Sequence, residues 1–170
     1  MIRSRKAITV YAQNNVIRSH VMREKENAID ETMHILVERL NHALHIEYTL
    51  IIHYPYIAKF IHDEEARNLT IELGTASVHH ADVIASIISE LGGKPDWSFE
   101  TLPSEIDLKS FFQNQIAREK RAMELHRGSA AMVPSTPYGK TLSALAAEEE
   151  EHIKNAERIV LLLHNQQQGA

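Results

Sequence analysis

A glutamate placed three residues before a histidine offers an oxygen and a nitrogen from one face of a helix, a turn apart, and such a pair can converge on a cation. Glu149 and His152 form this pair within Glu148-Glu149-Glu150-Glu151-His152. In a run of four glutamates some Glu takes that spacing by chance, and on a solvated face it would mean little. The neighbouring residues point inward instead. Leu142, Leu145, Glu149, His152, Ala156, Ile159 and Leu163 recur at steps of three and four, the period of a buried helical stripe. Carboxylates are rarely buried without a partner, so a stripe holding both an acid and an imidazole suits a metal ion that offsets their desolvation.

The same residue types recur along the chain at fixed intervals. Glu47 and His80 are 33 residues apart, Glu119 and His152 are also 33 apart, and the two pairs are offset by 72. Glu47 lies on the stripe Leu40, Ala43, Glu47, Leu50, Tyr54, Ile57 and Ile61. Glu119 lies on Phe112, Gln115, Glu119, Ala122, His126 and Ser129, and His80 on Leu69, Leu73, Ala76, His80, Val83, Ile87 and Leu91. Tyr54 and His126 are matching members, each seven beyond its glutamate. This is the signature of a duplicated helical hairpin. A bundle holding two metals uses two lone glutamates and two Glu-x-x-His pairs. Here one ligand is missing: Ser77 stands where the offset places the counterpart of Glu149. Oxygen and imidazole donors without thiolate suit iron, manganese or zinc, one or two ions per chain.

Long helices must position these residues. The first core helix is expected over Ala28–Phe60, about 50 Å at 1.5 Å per residue, with a kink just before Pro55. Asp63 is the expected cap of a second helix that runs to Leu91 and stops at Gly92-Gly93. Lys94–Asp107 is too long for a tight turn and is expected to cross the end of the bundle or run along its side, pinned to the core by Trp97 and Phe99. A third helix follows over Leu108–Met132. A last helix is capped by Thr136 or Thr141 and ends near His164. The fold class is therefore an all-α four-helix bundle with a long crossover between the second and third helices. Its domain plan is a basic arm or short helix over 1–26, the bundle over 27–165 and a flexible tail over 166–170.

Composition agrees with one helical domain. The 170 residues include only six glycines and five prolines, with an apolar fraction of 44%. A formal charge of −5 gives no reason to expect nucleic acid as a partner, although the first 25 residues are basic. Without cysteine there are no disulfides, thiol catalysis or cysteine-held clusters, and the redox compartment stays undetermined. With no secretory signal pattern and no run of 18 apolar residues, the chain is read as cytoplasmic, with no membrane partner.

The residues around Glu47 with Tyr54, His80-Ala81-Asp82, Leu91-Gly92-Gly93-Lys94-Pro95, Glu119 and Glu149-x-x-His152 resemble the ferritin-like superfamily, nearest its bacterioferritin and rubrerythrin branches, over about Leu36–Leu163. The resemblance implies that Glu47 and His80 hold one ion, Glu119 and His152 the other, and that Glu149 bridges them. It implies iron, with ferroxidase or oxygen- or peroxide-reducing activity. Ser77 departs from the pattern, because a second bridging glutamate belongs there and a hydroxyl is a poor ligand. On this reading the ion of Glu47 and His80 is the weaker one, and His79, His126 or water are its possible substitutes.

Neighbouring polar residues read differently. His79 is set as a flank residue unless the second helix rotates, and Glu72 reaches the site only if that helix distorts. His126 is expected as a polar core partner of Tyr54 or as a group that supports a ligand, with direct ligation as the alternative, and Tyr54 as a core residue with a hydrogen bond into the site as the alternative. His42, His45, His53 and His62 are read as surface or subunit-contact residues. Ile52, Tyr56 and Ile88 have no place on the inner stripes and suggest a homo-oligomer, at least a dimer. The competing class is a non-catalytic helical scaffold or interaction module with a relic or structural single-metal site.

Overall fold

The computed structural model describes the backbone of residues 3–168 and the side chains of 22–23 and 29–165. The chain divides into two compact units, Met1–Ile35 and Leu36–Ala170. The boundary expected at 26/27, the basic arm over 1–26 apart from residues 22–23, and the tail at 166–170 fall outside the described side chains.

Four long helices make up the fold: α1 Arg3–Ile57, α2 Glu64–Glu90, α3 Leu108–Met132 and α4 Pro137–Gln168. Among the described residues there is no strand. No helix among them is long and apolar enough to cross a membrane. α1 begins well before the expected Ala28, and α4 runs past His164 to Gln168.

Local chemistry explains the other helix ends. Asp63 caps α2, its Oδ1 accepting from the Ala66 amide at 2.8 Å, with Glu64 and Glu65 in the first turn where the helix dipole favours anions. Asp107 caps α3 in the same way through Ser110 at 2.9 Å. Thr136 Oγ1 accepts from the Gly139 amide at 3.1 Å at the start of α4. Gly92 ends the α2 region at φ 78°, a left-handed conformation that a side chain would resist.

Pro55 lies on the exposed side of α1, which passes through it and ends two residues later at Ile57, followed by a 3-10 turn over Ala58–Phe60. α2 approaches α1 closely here. A Cβ on Gly74 would lie 3.2 Å from Tyr54 Cβ and 3.6 Å from Pro55 Cδ, so the missing side chain lets the two helices meet beside Tyr54.

The connection Leu91–Asp107 runs alongside α1, in the same direction as it. Asn41 donates to the Lys94 carbonyl and accepts from the Asp96 amide, His45 meets Ser98, and Thr49 accepts from the Glu100 amide. This answers the choice between crossing the end and running along the side. It also corrects the anchoring role given to Trp97 and Phe99. Both rings meet Tyr48 edge-on at 5.4 and 5.8 Å but remain about half exposed. Polar contacts with Asn41, His45, Thr49 and His53 hold the segment, because its own backbone has no helical ladder to satisfy its amides and carbonyls.

The inner stripes of α1, α3 and α4 are buried as their periodicity predicts. α2 is turned from its predicted face: Ala66, Thr70, Leu73, Ser77, His80, Ile84 and Ile87 are buried, while Leu69, Ala76, Val83 and Leu91 are only partly so. Ile88 accordingly belongs to the core, whereas Ile52 and Tyr56 are exposed. An apolar cluster of Leu50, Tyr54, Ile57, Leu73, Phe112, Ala156 and Ile159 closes one end of the core, with burial of each large side chain worth about 1.5–3 kcal/mol.

Candidate metal centre

All five predicted ligand residues meet in the middle of the bundle: Glu47 from α1, His80 from α2, Glu119 from α3, and Glu149 and His152 from α4. Glu47, His80, Glu119 and Glu149 have no exposed surface, and His152 has very little.

The donors form two groups that share one residue. Glu47, His80, His126 and Glu149 make the first, and Glu119, Glu149 and His152 the second, with the donor atoms of each within 4.8 Å of one another. Glu149 divides its carboxylate between them. Its Oε1 lies 3.0 Å from His80 Nδ1 and 3.4 Å from His126 Nε2, while its Oε2 lies 3.1 Å from His152 Nδ1. Glu47 Oε1 lies 3.4 Å from His80 Nδ1 and 3.6 Å from His126 Nε2. On the other side, Glu119 Oε2 is 3.8 Å from His152 Nδ1, and its Oε1 accepts a 2.5 Å hydrogen bond from Tyr54. Tyr54 therefore bonds to the glutamate of the opposite hairpin rather than to His126.

These groups hold one another's charge. Burial opposes ionisation of Glu149, but the imidazoles of His126, His152 and His80 outweigh it and keep this carboxyl far below its usual range. Burial likewise opposes a charge on His80, yet contact with Glu149 and Glu47 raises its pKa to about 11; His126 is raised by the same two carboxylates. Glu119 is pushed well up by burial and by neighbouring Glu149. Burial and Glu119 also raise Tyr54. Protons on imidazole thus balance the buried carboxylates, and a divalent cation can take over that role.

The hydrogen-bond inventory fits a cation. Both oxygens of Glu47, Glu119 Oε2 and both ring nitrogens of His126 accept or donate no hydrogen bond, although all are fully buried. Each such atom ordinarily costs about 1–3 kcal/mol, and coordination would satisfy the carboxylate oxygens and Nε2, the His126 nitrogen that faces Glu47 and Glu149. These are hard oxygen and imidazole donors, the set that iron, manganese and zinc accept.

Two participants lay beyond the predicted ligands. His126 faces Glu47 and Glu149 directly; its place on the inner stripe of α3 was the available signal. Glu148, half exposed, sets Oε2 3.0 Å from His80 Nε2, so its carboxylate orients the ring whose Nδ1 faces the centre. No spacing rule singles it out within its acidic run.

The remaining candidates lie elsewhere. His79 and Glu72 are exposed. His42 and His62 are exposed and His45 is half-buried, but His53 is buried, with Nε2 2.8 Å from the Glu100 carbonyl, correcting its surface assignment. Ser77 is buried, and its hydroxyl takes no hydrogen bond.

The backbone has close structural counterparts. A ferritin-like diiron-carboxylate protein from Bacillus anthracis superimposes with a TM-score of 0.68 at 20% identity, covering 76% of this chain and 97% of that one. The fold is ferritin-like. A bacterioferritin from Rhodobacter capsulatus, described with a metal-free dinuclear site and heme iron, matches this ferritin-like bundle at a TM-score of 0.63 and 24% identity, covering 76% and 86%. A dodecameric thioferritin from Bacteroides fragilis matches at 0.67 and 22%, covering 81% and 90%. No protein-family model matches the chain, and no curated protein matches it.

Proposed function

We propose that this ferritin-like chain binds one or two divalent metal ions, iron first and manganese or zinc as alternatives, and that an iron-loaded centre oxidises iron(II) or reduces oxygen or peroxide. The observation that carries the reading is the divided carboxylate of Glu149, with one oxygen facing each donor group. Two cations placed there would share one counter-charge, the arrangement a paired-metal centre requires.

Iron supplies one-electron chemistry toward oxygen or peroxide, whereas zinc would be held without redox turnover. The chain's own residues prepare the place for it. Glu47 and His80 present donors from the first hairpin, and Glu119 and His152 from the second. Glu148 fixes the ring of His80, and Tyr54 holds one oxygen of Glu119 and so turns the other toward His152. Leu50, Leu73, Phe112 and Ala156 pack the neighbouring core and keep bulk water out.

A relic scaffold would gain by replacing these buried charges with apolar groups, often by about 1–4 kcal/mol, and the retained cluster therefore favours metal binding. Exposed Ile52, Tyr56, Phe60, Ile71 and Val78 on α1, α2 and the turn between them support a homo-oligomer, at least a dimer, and we place it in the cytoplasm.

The test is elemental analysis of protein soaked separately with iron(II), manganese(II) and zinc(II), then desalted, together with the rate of iron(II) oxidation. Retention of one to two ions per chain is expected. Retention below about a tenth of an ion for every metal would end the metal-binding reading, because a buried set of these donors should hold at least one.

A further inference from the structure

We propose that the first and tightest ion binds to Glu47, His80, His126 and Glu149, with His126 supplying the donor that Ser77 cannot, and that a second ion binds far more weakly to Glu119, Glu149 and His152. This rests on the metal-binding reading above and adds both the ligand set and its order of filling.

Donor spacing is the first support. Atoms bound to one ion at about 2.1 Å lie about 3.0 Å apart at a right angle and about 3.4 Å apart at a tetrahedral angle. The four recorded separations, His80 Nδ1 to Glu149 Oε1, His80 Nδ1 to Glu47 Oε1, His126 Nε2 to Glu149 Oε1 and His126 Nε2 to Glu47 Oε1, are 3.0, 3.4, 3.4 and 3.6 Å. The first is also an ordinary hydrogen-bond length, the other three are long for hydrogen bonds, and all four are ordinary for neighbouring ligands around a metal. Each imidazole faces both carboxylates, so the donors close a ring of alternating nitrogen and oxygen.

The unpaired atoms are the second support. Glu47 and His126 are fully buried, yet neither Glu47 oxygen nor either ring nitrogen of His126 takes a hydrogen bond. In the second group Glu119 Oε2 is also unpaired, but Oε1 is already committed to Tyr54 and Oε2 lies 3.8 Å from His152, farther than any of the four separations in the first group. Two carboxylates and two neutral imidazoles would also neutralise one divalent ion. A second ion would have to share Glu149, and without a carboxylate at position 77 it has no other bridge.

The internal repeat explains how the set arose. His126 occupies the position that matches Tyr54, and Ser77 the position that matches Glu149. The first hairpin is short of a carboxylate on α2, and the second provides an imidazole on α3 that reaches across to Glu47.

The experiment titrates the full chain with cobalt(II), counting the hyperfine-shifted imidazole N–H protons by NMR, and with zinc(II) by calorimetry. The first equivalent of cobalt should bring out signals from His80 and His126, with that of His152 appearing only at higher ratios. His126→Tyr should remove one early signal and weaken the first zinc by about 100-fold or more, beyond the 10–100-fold usual for residues that only support a ligand. His126→Gln should weaken it likewise, which covers the case in which tyrosine disturbs packing. Adding Ser77→Glu to His126→Tyr should bring back tight uptake and raise the number of tightly held ions. An early His152 signal without that of His126, or wild-type affinity in the His126 variants, would overturn this ligand set while leaving metal binding intact. Failure of the wild type to bind either ion would overturn this ligand set, and the metal-binding reading falls with it if iron(II) and manganese(II) are not retained either.

Discussion

The two hairpins of the bundle carry matching positions with unequal contents. Across the offset of 72, Glu47 matches Glu119 and His80 matches His152, but Ala76 and Ser77 stand against Glu148 and Glu149, and Tyr54 against His126. α4 therefore brings both the carboxylate divided between the two groups and the one that orients His80, while α2 brings only its histidine. The positions seven beyond each glutamate reach across in opposite directions. Tyr54 donates to Glu119 at 2.5 Å, and His126 faces Glu47 at 3.6 Å. A hydroxyl closes one contact as a short hydrogen bond, and an imidazole leaves the other open to a cation. Loss of symmetry at one position is thus met by a different residue type on the other hairpin, because all four helices point into one small volume.

The largest effect should come from breaking the shared point. Glu149→Ala removes the only carboxylate among the described residues that faces both groups, and with it a partner that raises both His80 and His126. We expect loss of nearly all bound metal and a fall of about 3–5 kcal/mol in the stability of the metal-free protein, the usual cost of breaking a buried ion pair. Metal analysis and urea denaturation check both, and full retention of metal would show that the groups do not depend on one bridge.

Tyr54→Phe tests one hairpin's hold on the other. It deletes the hydrogen bond to Glu119 and leaves both oxygens of a buried carboxyl unsatisfied. The expected cost is about 1–3 kcal/mol in thermal or urea unfolding. Affinity for the first zinc should be little changed, since Tyr54 belongs to the second group's side. A large drop in that affinity would mean that the groups are not separable.

The smallest effect lies outside the centre. Burial lowers the pKa of His53 from 6.5, and its Nε2 lies 2.8 Å from the Glu100 carbonyl on the crossover. With the folded pKa below the unfolded one, the unfolded chain binds more protons between them. Stability from this group is present above pH 6.5 and is lost as pH falls toward the folded value. His53→Gln should flatten the stability profile over that interval and leave metal stoichiometry unchanged. An unchanged slope in unfolding curves between neutral and mildly acid pH would show that His53 is not a source of it.

Much of this was legible in the residues alone. Periodicity marked the buried stripes of α1, α3 and α4, because side chains one turn apart must share a face. Asp63 and Gly92 marked ends through local backbone chemistry, and the interval of 72 disclosed the duplicated hairpin and the gap at Ser77. What sequence spacing could not supply was helix rotation and reach across the core. α2 is turned far enough that Ile88 is buried, and it meets α1 closely where Gly74 lies against Tyr54 and Pro55. His53 is covered by the crossover, a contact 47 residues away in the chain. His126 stood on the inner stripe in the sequence, but its nearness to Glu47 and Glu149 follows only from the packing of three different helices. A repeat pattern reports what each helix presents; the distances between donors on separate helices are decided by tertiary packing, and those distances determine which donors can share an ion.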